Sequence, residues 1–440
     1  LRDKRFPRLN NSRRTTVKVK RIKVTPIAFK DAPLLNASGI HEPYALRSII
    51  EVESDDGFVG LGESYGDAPV LSVLQALEPS LVGLDPFDLN GLRQRVKSAV
   101  AALPQVAAGA ELAPGSHPSK QVANAYSAFE VAFLDLQARS LGMPLVTLLG
   151  GAVRPEVPFS AYLFFKYAQH IDTPYPPDRW GEAISAEQIV AQARRMIDEN
   201  GFKSIKLKAG ALEPEHEVAC IQALKAAFPN TPLRIDPNGN WSLETAVRMA
   251  GLLEGCLEYY EDPTPGLEGM AELHRRTGLP LATNMVVTDF DEFRRSVPQD
   301  SVQIVLSDHH YWGGLRDTQA LARMCDTFGL GISMHSNSHL GISLMAMTHV
   351  AASVPNLGYA CDTHYPWQEA DEEVIVGGKL PIVDGNVRID FSKPGLGVEL
   401  DQAQLAKLHD QFLAIDIRSR DDARQMRKYK PEWKTVKPRF

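Results

Sequence analysis

From about residue 157 onward, eight short apolar runs alternate with stretches long enough to form helices, and this repeat restricts the chain more than any other feature. The runs are Phe159–Phe164, Ser204–Lys208, Leu233–Asp236, Leu257–Glu261, Leu281–Asn284, Val302–Ser307, Gly331–Met334 and Gly358–Cys361. Strands that alternate with helices must form a parallel sheet, and eight of them match a (β/α)8-type barrel in the α/β class. An open doubly wound sheet would also alternate, but no GxGxxG or GxxxxGK[ST] phosphate loop follows an early strand.

In a barrel of this kind the chemistry gathers at the C-terminal ends of the strands, so the polar residues closing each run are the candidates. They are Lys206 and Lys208, Asp236, Glu261, Asn284, Asp308 and His335, and after the lysines one functional group arrives about every 25 residues, close to one βα unit. A lone carboxylate after a strand is commonly a helix cap or turn acceptor. Three oxygen donors on consecutive strands, Asp236, Glu261 and Asn284, would instead converge on one point, and an all-oxygen set suits a hard cation such as Mg²⁺ better than zinc. Lys206 and Lys208 alternate with apolar neighbours and so share one side of their strand, the expected barrel mouth; a surface edge protected by lysines is the alternative. Beside a divalent cation and another lysine, a lysine is expected to have a lowered pKa, as an amine base requires. His335 and His339 are spaced like a zinc pair but lack the HExxH glutamate, so Asp308 is the expected partner of His335; His309 and His310 beside it blur which histidine matters.

A metal with a lysine on one side and a His–Asp pair across from it could hold a substrate carboxylate and remove the weakly acidic proton on the adjacent carbon. Lys206 would help to stabilise the enediolate that forms. Loss of a neighbouring hydroxyl would give dehydration, and reprotonation would give epimerisation or racemisation. A decayed barrel serving only for binding is a third reading.

Before the barrel, alternation from Val17 to Val24 and the pair Arg47–Glu53 and Phe58–Glu63, separated by Asp55-Asp56-Gly57, indicate antiparallel strands. Val122, Ala125, Phe129, Ala132 and Leu136 then mark an amphipathic helix that Gly142 and Pro144 end. A first α+β unit of about 150 residues therefore precedes the barrel. A net charge of −7 on 440 residues leaves no footprint for nucleic acid, and the basic ends, Arg2–Lys23 and Arg418–Arg439, read as solvated arms. No apolar run is long enough for a membrane span, and four separated cysteines read as thiols of a reducing, cytoplasmic compartment. The opening at Leu1 suggests a trimmed or partial N-terminus, and what remains has no apolar signal core.

The ordered motifs KLK, DPNGNW, YYEDP, ATNM, LSDHHYW and HSNSHLGIS resemble the enolase superfamily, specifically its glucarate dehydratase group; LLNASGIH, LGMPLVTLLGG, YLFF, KPGLGVEL and SRDDA extend the likeness over most of the chain. Asn284 as third ligand resembles that group more than the racemase branch, where a carboxylate is usual. The resemblance implies a modified TIM barrel, (β/α)7β, over residues 151–384, with an α+β capping domain over 1–150 completed by 385–440. It implies that Asp236, Glu261 and Asn284 bind Mg²⁺, Lys206 polarises the carboxylate, Lys208 and His335 are opposed bases and Asp308 orients His335. His41, Tyr162, Phe164, Asn238, Asn337 and Arg420 would hold the rest of a hexarate such as D-glucarate, with the Arg420 fork on the far carboxylate. The expected partner is a small sugar diacid bound by a homo-oligomer, with neither nucleic acid nor membrane involved. One departure is the loop Pro104–Lys120, rich in Ala, Gly and Pro where the family has a more polar substrate loop.

Overall fold

The computed structural model describes residues 17–103 and 120–440. The chain opens with an antiparallel sheet of β1 (Val19–Lys30), β4 (Tyr44–Ser54) and β5 (Val59–Tyr65) in the order β1-β4-β5. Between β1 and β4 a short hairpin of β2 (Leu35–Asn36) and β3 (Gly39–Ile40) projects over the barrel. The Gln121–Ser140 helix lies against this sheet and is buried along most of its length. Its close approach requires two glycines of β5: a Cβ on Gly60 would land on the Ala132 carbonyl, and one on Gly62 on the Ala128 carbonyl. Asp135 on the same helix accepts N–H bonds from Leu61 (2.8 Å) and Leu396 (2.6 Å), tying sheet, helix and C-terminal segment together. Most of the loop singled out above, Pro104–Ser119, lies outside the described residues.

After β6 (Glu156–Pro158) come seven parallel strands: β7 (Ala161–Phe164), β8 (Ile205–Lys208), β9 (Leu233–Asp236), β10 (Tyr259–Glu261), β11 (Leu281–Thr283), β12 (Ile304–Ser307) and β13 (Gly331–Met334). All their residues but Gly331 are buried, as in strands covered on both faces, with Lys206, Arg234 and Ser333 set among apolar neighbours. The helices between them carry local signals: Ser185 and Gln188 form a reciprocal capping box before the Ala186–Asn200 helix, and Gly201 ends it at φ 71°. The Gly341–Ser353 helix is buried on every side, which explains why its sequence is apolar all round.

The eighth run does not form a regular strand, in contrast to the sequence expectation. Residues 357–361 close the curled sheet through single bridges, Leu357 to Ile332 and Cys361 to Phe159. The carbonyls that would continue the ladder are used otherwise: Ser333 Oγ donates to those of Tyr359 (3.1 Å) and Ala360 (3.0 Å), and Arg234 Nη1 to that of Ala360 (2.8 Å). The result is a modified TIM barrel under a capping domain. Beyond it, β14 (Asn386–Arg388) pairs with β6, and the Gln402–Ala414 helix returns to pack on β1.

The C-terminal basic end departs from the reading as a solvated arm, whereas of Arg2–Lys23 only residues 17–23 are described and their charges on β1 are exposed. Lys20 and Arg21 on β1 pair with Glu53, at 2.6 and 2.9 Å. In the tail, Met426 is buried, Tyr429 stacks on Tyr167 at 4.5 Å, and Trp433 Nε1 donates to the Ser38 carbonyl at 2.8 Å. The four cysteines are unpaired thiols, and among the described residues no helix is long and apolar enough to cross a membrane.

The β5 packing gives a direct test. Gly60→Ala should destabilise the protein by roughly 1–3 kcal/mol through overpacking. Gly251→Ala, at an open position of the Leu243–Leu252 helix with nothing near its Cβ, should stabilise it by up to about 1 kcal/mol. Urea unfolding of the two variants beside the parent protein measures both; a neutral Gly60→Ala would contradict the close helix–sheet contact.

Candidate active site

Barrel register sets the site in two levels. Tyr162, Lys206 and Arg234 are aligned across β7, β8 and β9, and Phe164, Lys208 and Asp236 are aligned one step nearer the mouth. The following strands add Glu261, then Asn284, Asp308 and His335 immediately beyond β11, β12 and β13. Asp236, Glu261 and Asn284 thus stand between Lys208 and His335 in the strand order.

The lower level is a dry charge cluster. Lys206 Nζ lies 2.5 Å from Glu261, 2.6 Å from Asp362 and 3.4 Å from Asp236, with the Tyr162 ring 4.6 Å away. Burial pulls the Lys206 ammonium down, but Asp362 and Glu261 outweigh it and hold it well above the usual lysine range. The nearest charges to Lys206 are carboxylates, whereas the sequence expectation of a lowered lysine pKa concerned a lysine beside a bound cation. Lys208 Nζ donates to Asp236 at 2.6 Å and to the Asn238 side-chain oxygen. Burial opposes the charge on Asp236, yet Lys208 and Lys206 keep its carboxyl at about 2. Glu261 moves the other way, well above the carboxylate range, because of burial and the neighbouring Asp236.

Asp236, Glu261 and Asp262 bring carboxylate oxygens within 4.8 Å of one another. Asp262 accepts the Asn284 N–H at 2.8 Å and the Thr283 hydroxyl, so it holds the loop that carries Asn284. One end of the Asn284 amide lies 3.2 Å from Glu261 Oε1 and 3.0 Å from Asp262. An N–H there donates to the carboxylates; a carbonyl oxygen there needs a cation to share with them. Among the described residues, Glu261 Oε2 is buried with no hydrogen-bond partner. The donor set, all oxygen with one carboxylate atom unsatisfied, fits a hard divalent cation.

Across the barrel, Asp308 Oδ2 meets His335 Nδ1 at 3.1 Å while its Oδ1 meets His310 Nδ1 at 2.7 Å. Asp308 therefore serves two histidines, where the sequence pattern singled out one. Burial raises the Asp308 carboxyl, but His310 and His335 hold it well below the usual range. His339 turns away from His335 to Thr363, at 3.2 Å, which disposes of the zinc pairing.

The proposed distal contacts share one pocket: His41, Tyr162, Phe164, Asn238, Asn337 and Arg420 line it with Lys208, Asn284 and His335, and Asn36 and His364 complete it. His41 is fixed by Asp31, 2.9 Å from Nδ1. Arg420 gives Nε and Nη2 to Asp422 at 2.7 and 2.6 Å, leaving Nη1 without a partner among the described residues. Arg424, which sequence alone leaves without a contact, is paired with buried Glu42 at 2.6 Å.

Some residues of the site escaped the sequence reading. Asp362 follows the eighth apolar run and obeys the same strand-end rule as the others. Asp262 adjoins Glu261 and was detectable as a second carboxylate. His364, Arg47 and Glu63 carry no local signal, because their placement depends on the cap folding over the barrel.

A family model described as the mandelate racemase / muconate lactonizing enzyme N-terminal domain matches residues 24–150, and one described as enolase C-terminal domain-like matches 188–404. The chain is 48% identical over 422 residues to a probable glucarate dehydratase of Streptomyces coelicolor, covering 94% of this chain and 96% of that one. It is 76% identical, with a TM-score of 0.95, to an enolase of Pseudomonas fluorescens Pf0-1 crystallised with bound magnesium, potassium and tartrate, covering 97% of this chain and 100% of that one. A Mycobacterium smegmatis enolase complexed with tartrate is 51% identical with a TM-score of 0.90, covering 97% and 99% of the two chains. With both halves of the fold matched in sequence and the barrel matched in geometry, the chain belongs to the enolase superfamily.

Proposed function

We propose that the protein is an Mg²⁺-dependent hydro-lyase that dehydrates a hexarate, D-glucarate foremost, to a keto-deoxy diacid. The observation that carries this reading is the shared pocket, in which Arg420 and His41 stand with Lys208 and His335. A cation on the far side of the reacting groups suits a substrate with a carboxylate at each end. The relatives named as probable glucarate dehydratase and L-talarate/galactarate dehydratase support the reaction class. We also propose a division into a cap of residues 1–150 and 385–440 and a barrel of 151–384, with an assembly of several copies.

Asp236, Glu261 and Asn284 would hold Mg²⁺, which when bound offsets the charge of a substrate carboxylate and of the enediolate derived from it. Lys206, held cationic by its carboxylate neighbours, donates to that same carboxylate and strengthens its hold as negative charge develops. Lys208 or His335, according to which face carries the proton, takes it from the carbon beside the carboxylate. His335 can do so at Nε2 because Asp308 holds its Nδ1–H. The electron pair released expels hydroxide from the next carbon, and a protonated base supplies the proton that lets it leave as water. Asn238, Asn337 and the ring wall of Tyr162 and Phe164 align the polyol chain between the two ends. Arg420, braced by Asp422, takes the far carboxylate through Nη1.

A screen of hexarates with Mg²⁺ tests the reading: D-glucarate should give a semicarbazide-reactive keto product, whereas interconversion of epimers without one would assign epimerisation instead. Asp262→Asn should weaken Mg²⁺ binding about 10–100-fold by loosening the Asn284 loop, as measured by calorimetry. Binding indistinguishable from the parent protein would remove Asp262 from the site. Arg420→Ala should raise KM for a diacid and lower kcat, and should hurt a monocarboxylic sugar acid far less, since remote binding energy positions the reacting carbon. Exposed Lys428 is the suitable control, because Arg424 is engaged by Glu42. Equal losses for the two substrates would return Arg420 to a structural role.

A further inference from the structure

The His335–Asp308 pair continues into the cap. Asp308 Oδ1 meets His310 Nδ1 at 2.7 Å, and His310 Nε2 meets Arg47 Nη2 at 2.8 Å. Arg47, on β4, donates through Nε to Glu63 on β5 at 2.9 Å. Glu63 in turn accepts the N–H groups of Leu340 and Ser343, each at 2.9 Å, beyond the loop that carries His335 and Asn337. Arg47, Glu63, His310, Asp308 and His335 are all buried.

Hydrogen-bond chemistry settles the proton positions along this chain. A guanidinium has donors and no acceptor, so His310 Nε2 must present its lone pair to Arg47. The Ser343 hydroxyl, 2.9 Å from the same nitrogen, is free to donate to it as well. His310 therefore carries its proton on Nδ1 and points it at Asp308. A doubly protonated His310 would set its Nε2–H against the Arg47 N–H beside a buried cation, with only the Ser343 oxygen left to accept it. With that tautomer Asp308 receives a fixed Nδ1–H donor on one oxygen and keeps the other for His335. Charge that arises on proton abstraction is then placed on His335 alone.

We propose that Arg47, a cap residue, is a positioning residue for the His335 base: it fixes the tautomer of His310, and through it the orientation of the Asp308 carboxylate, so that the base is correctly aligned only when cap and barrel are docked. The proposal rests on the dehydratase reading for the role of His335 as a base. Tyr65 reinforces the link, with its ring 5.0 Å from the Arg47 guanidinium and its hydroxyl accepting a 2.9 Å bond from the Asn337 amide.

The test uses the full chain with Mg²⁺ and a pair of hexarate epimers that present their α-proton to opposite faces. Replacing Arg47 alone would strand the buried Glu63 carboxylate, so Arg47→Met is combined with Glu63→Gln. Deuterium exchange from D₂O through His335 should fall at least about tenfold, as expected when an imidazole loses its fixed orientation, while exchange through Lys208 stays within about twofold. Arg47→Lys, which restores a donor, should recover part of the loss. Equal losses on both faces would assign Arg47 a purely structural role, and no loss on either would exclude the relay. A second readout needs no substrate: ¹⁵N NMR of the histidine side chains should show His310 as the neutral Nδ1–H tautomer, and an Nε2–H form or an imidazolium would overturn the proposal. If the parent enzyme exchanged neither epimer, the dehydratase reading would fail on its own account, while the tautomer measurement would still decide whether Arg47 sets His310.

Discussion

The barrel depends on an electrostatic balance at its centre. Lys206 is buried among Glu261, Asp362 and Asp236, and Lys208 leans on Asp236, in a region from which water is excluded. An isolated ammonium or carboxylate there would be very costly, and each is tolerated because the others are present. This interdependence explains why the groups sit on rigid strand ends: a shift of one side chain would leave a neighbour's charge uncompensated. It also tunes the site. Asp362 and Glu261 hold Lys206 cationic, the two lysines keep the Asp236 carboxyl low, and burial together with Asp236 pushes that of Glu261 up.

The cap completes what the barrel begins. β4 and β5 send Arg47, Glu63 and Tyr65 down to the loops beyond β12 and β13, and the β2–β3 hairpin supplies Asn36 and His41 to the pocket wall. The tail returns Arg420 to the same pocket, where Asp422 braces it and Asn36 donates to Oδ2 of that carboxylate at 2.5 Å. One wall of the cavity is therefore built from segments nearly 400 positions apart in sequence, and its shape depends on their docking.

How far the sequence announced this arrangement follows from the physics of each part. The strand-end groups were legible because a barrel strand is short, apolar and followed at once by its functional residue, so Lys206, Lys208, Asp236, Glu261 and Asp308 could be found by position alone. Asp362 obeys the same rule but closes the weakest run, where side chains of Ser333 and Arg234 replace ladder bonds and the strand signal fades. The basic tail misled for a different reason. Many of its charges do face outward, but Arg420 and its partner Asp422 turn to the pocket wall, and the anchors Met426, Tyr429 and Trp433, although three and four residues apart, are too few among the charges to stand out as an apolar stripe. Arg47 and Glu63 were hidden altogether: within their strands they read as ordinary polar residues, and their burial arises only when the barrel covers them.

The central claim is that a diacid spans the pocket, with one carboxylate at the lysine and carboxylate cluster and the other at Arg420. A crystal structure with Mg²⁺ and a slowly reacting hexarate analogue tests it most directly. The account predicts one carboxylate in contact with Lys206, the adjacent carbon between Lys208 Nζ and His335 Nε2, and the far carboxylate on Arg420 Nη1. An analogue whose far carboxylate avoided Arg420, or whose α-carbon faced neither Lys208 nor His335, would contradict it.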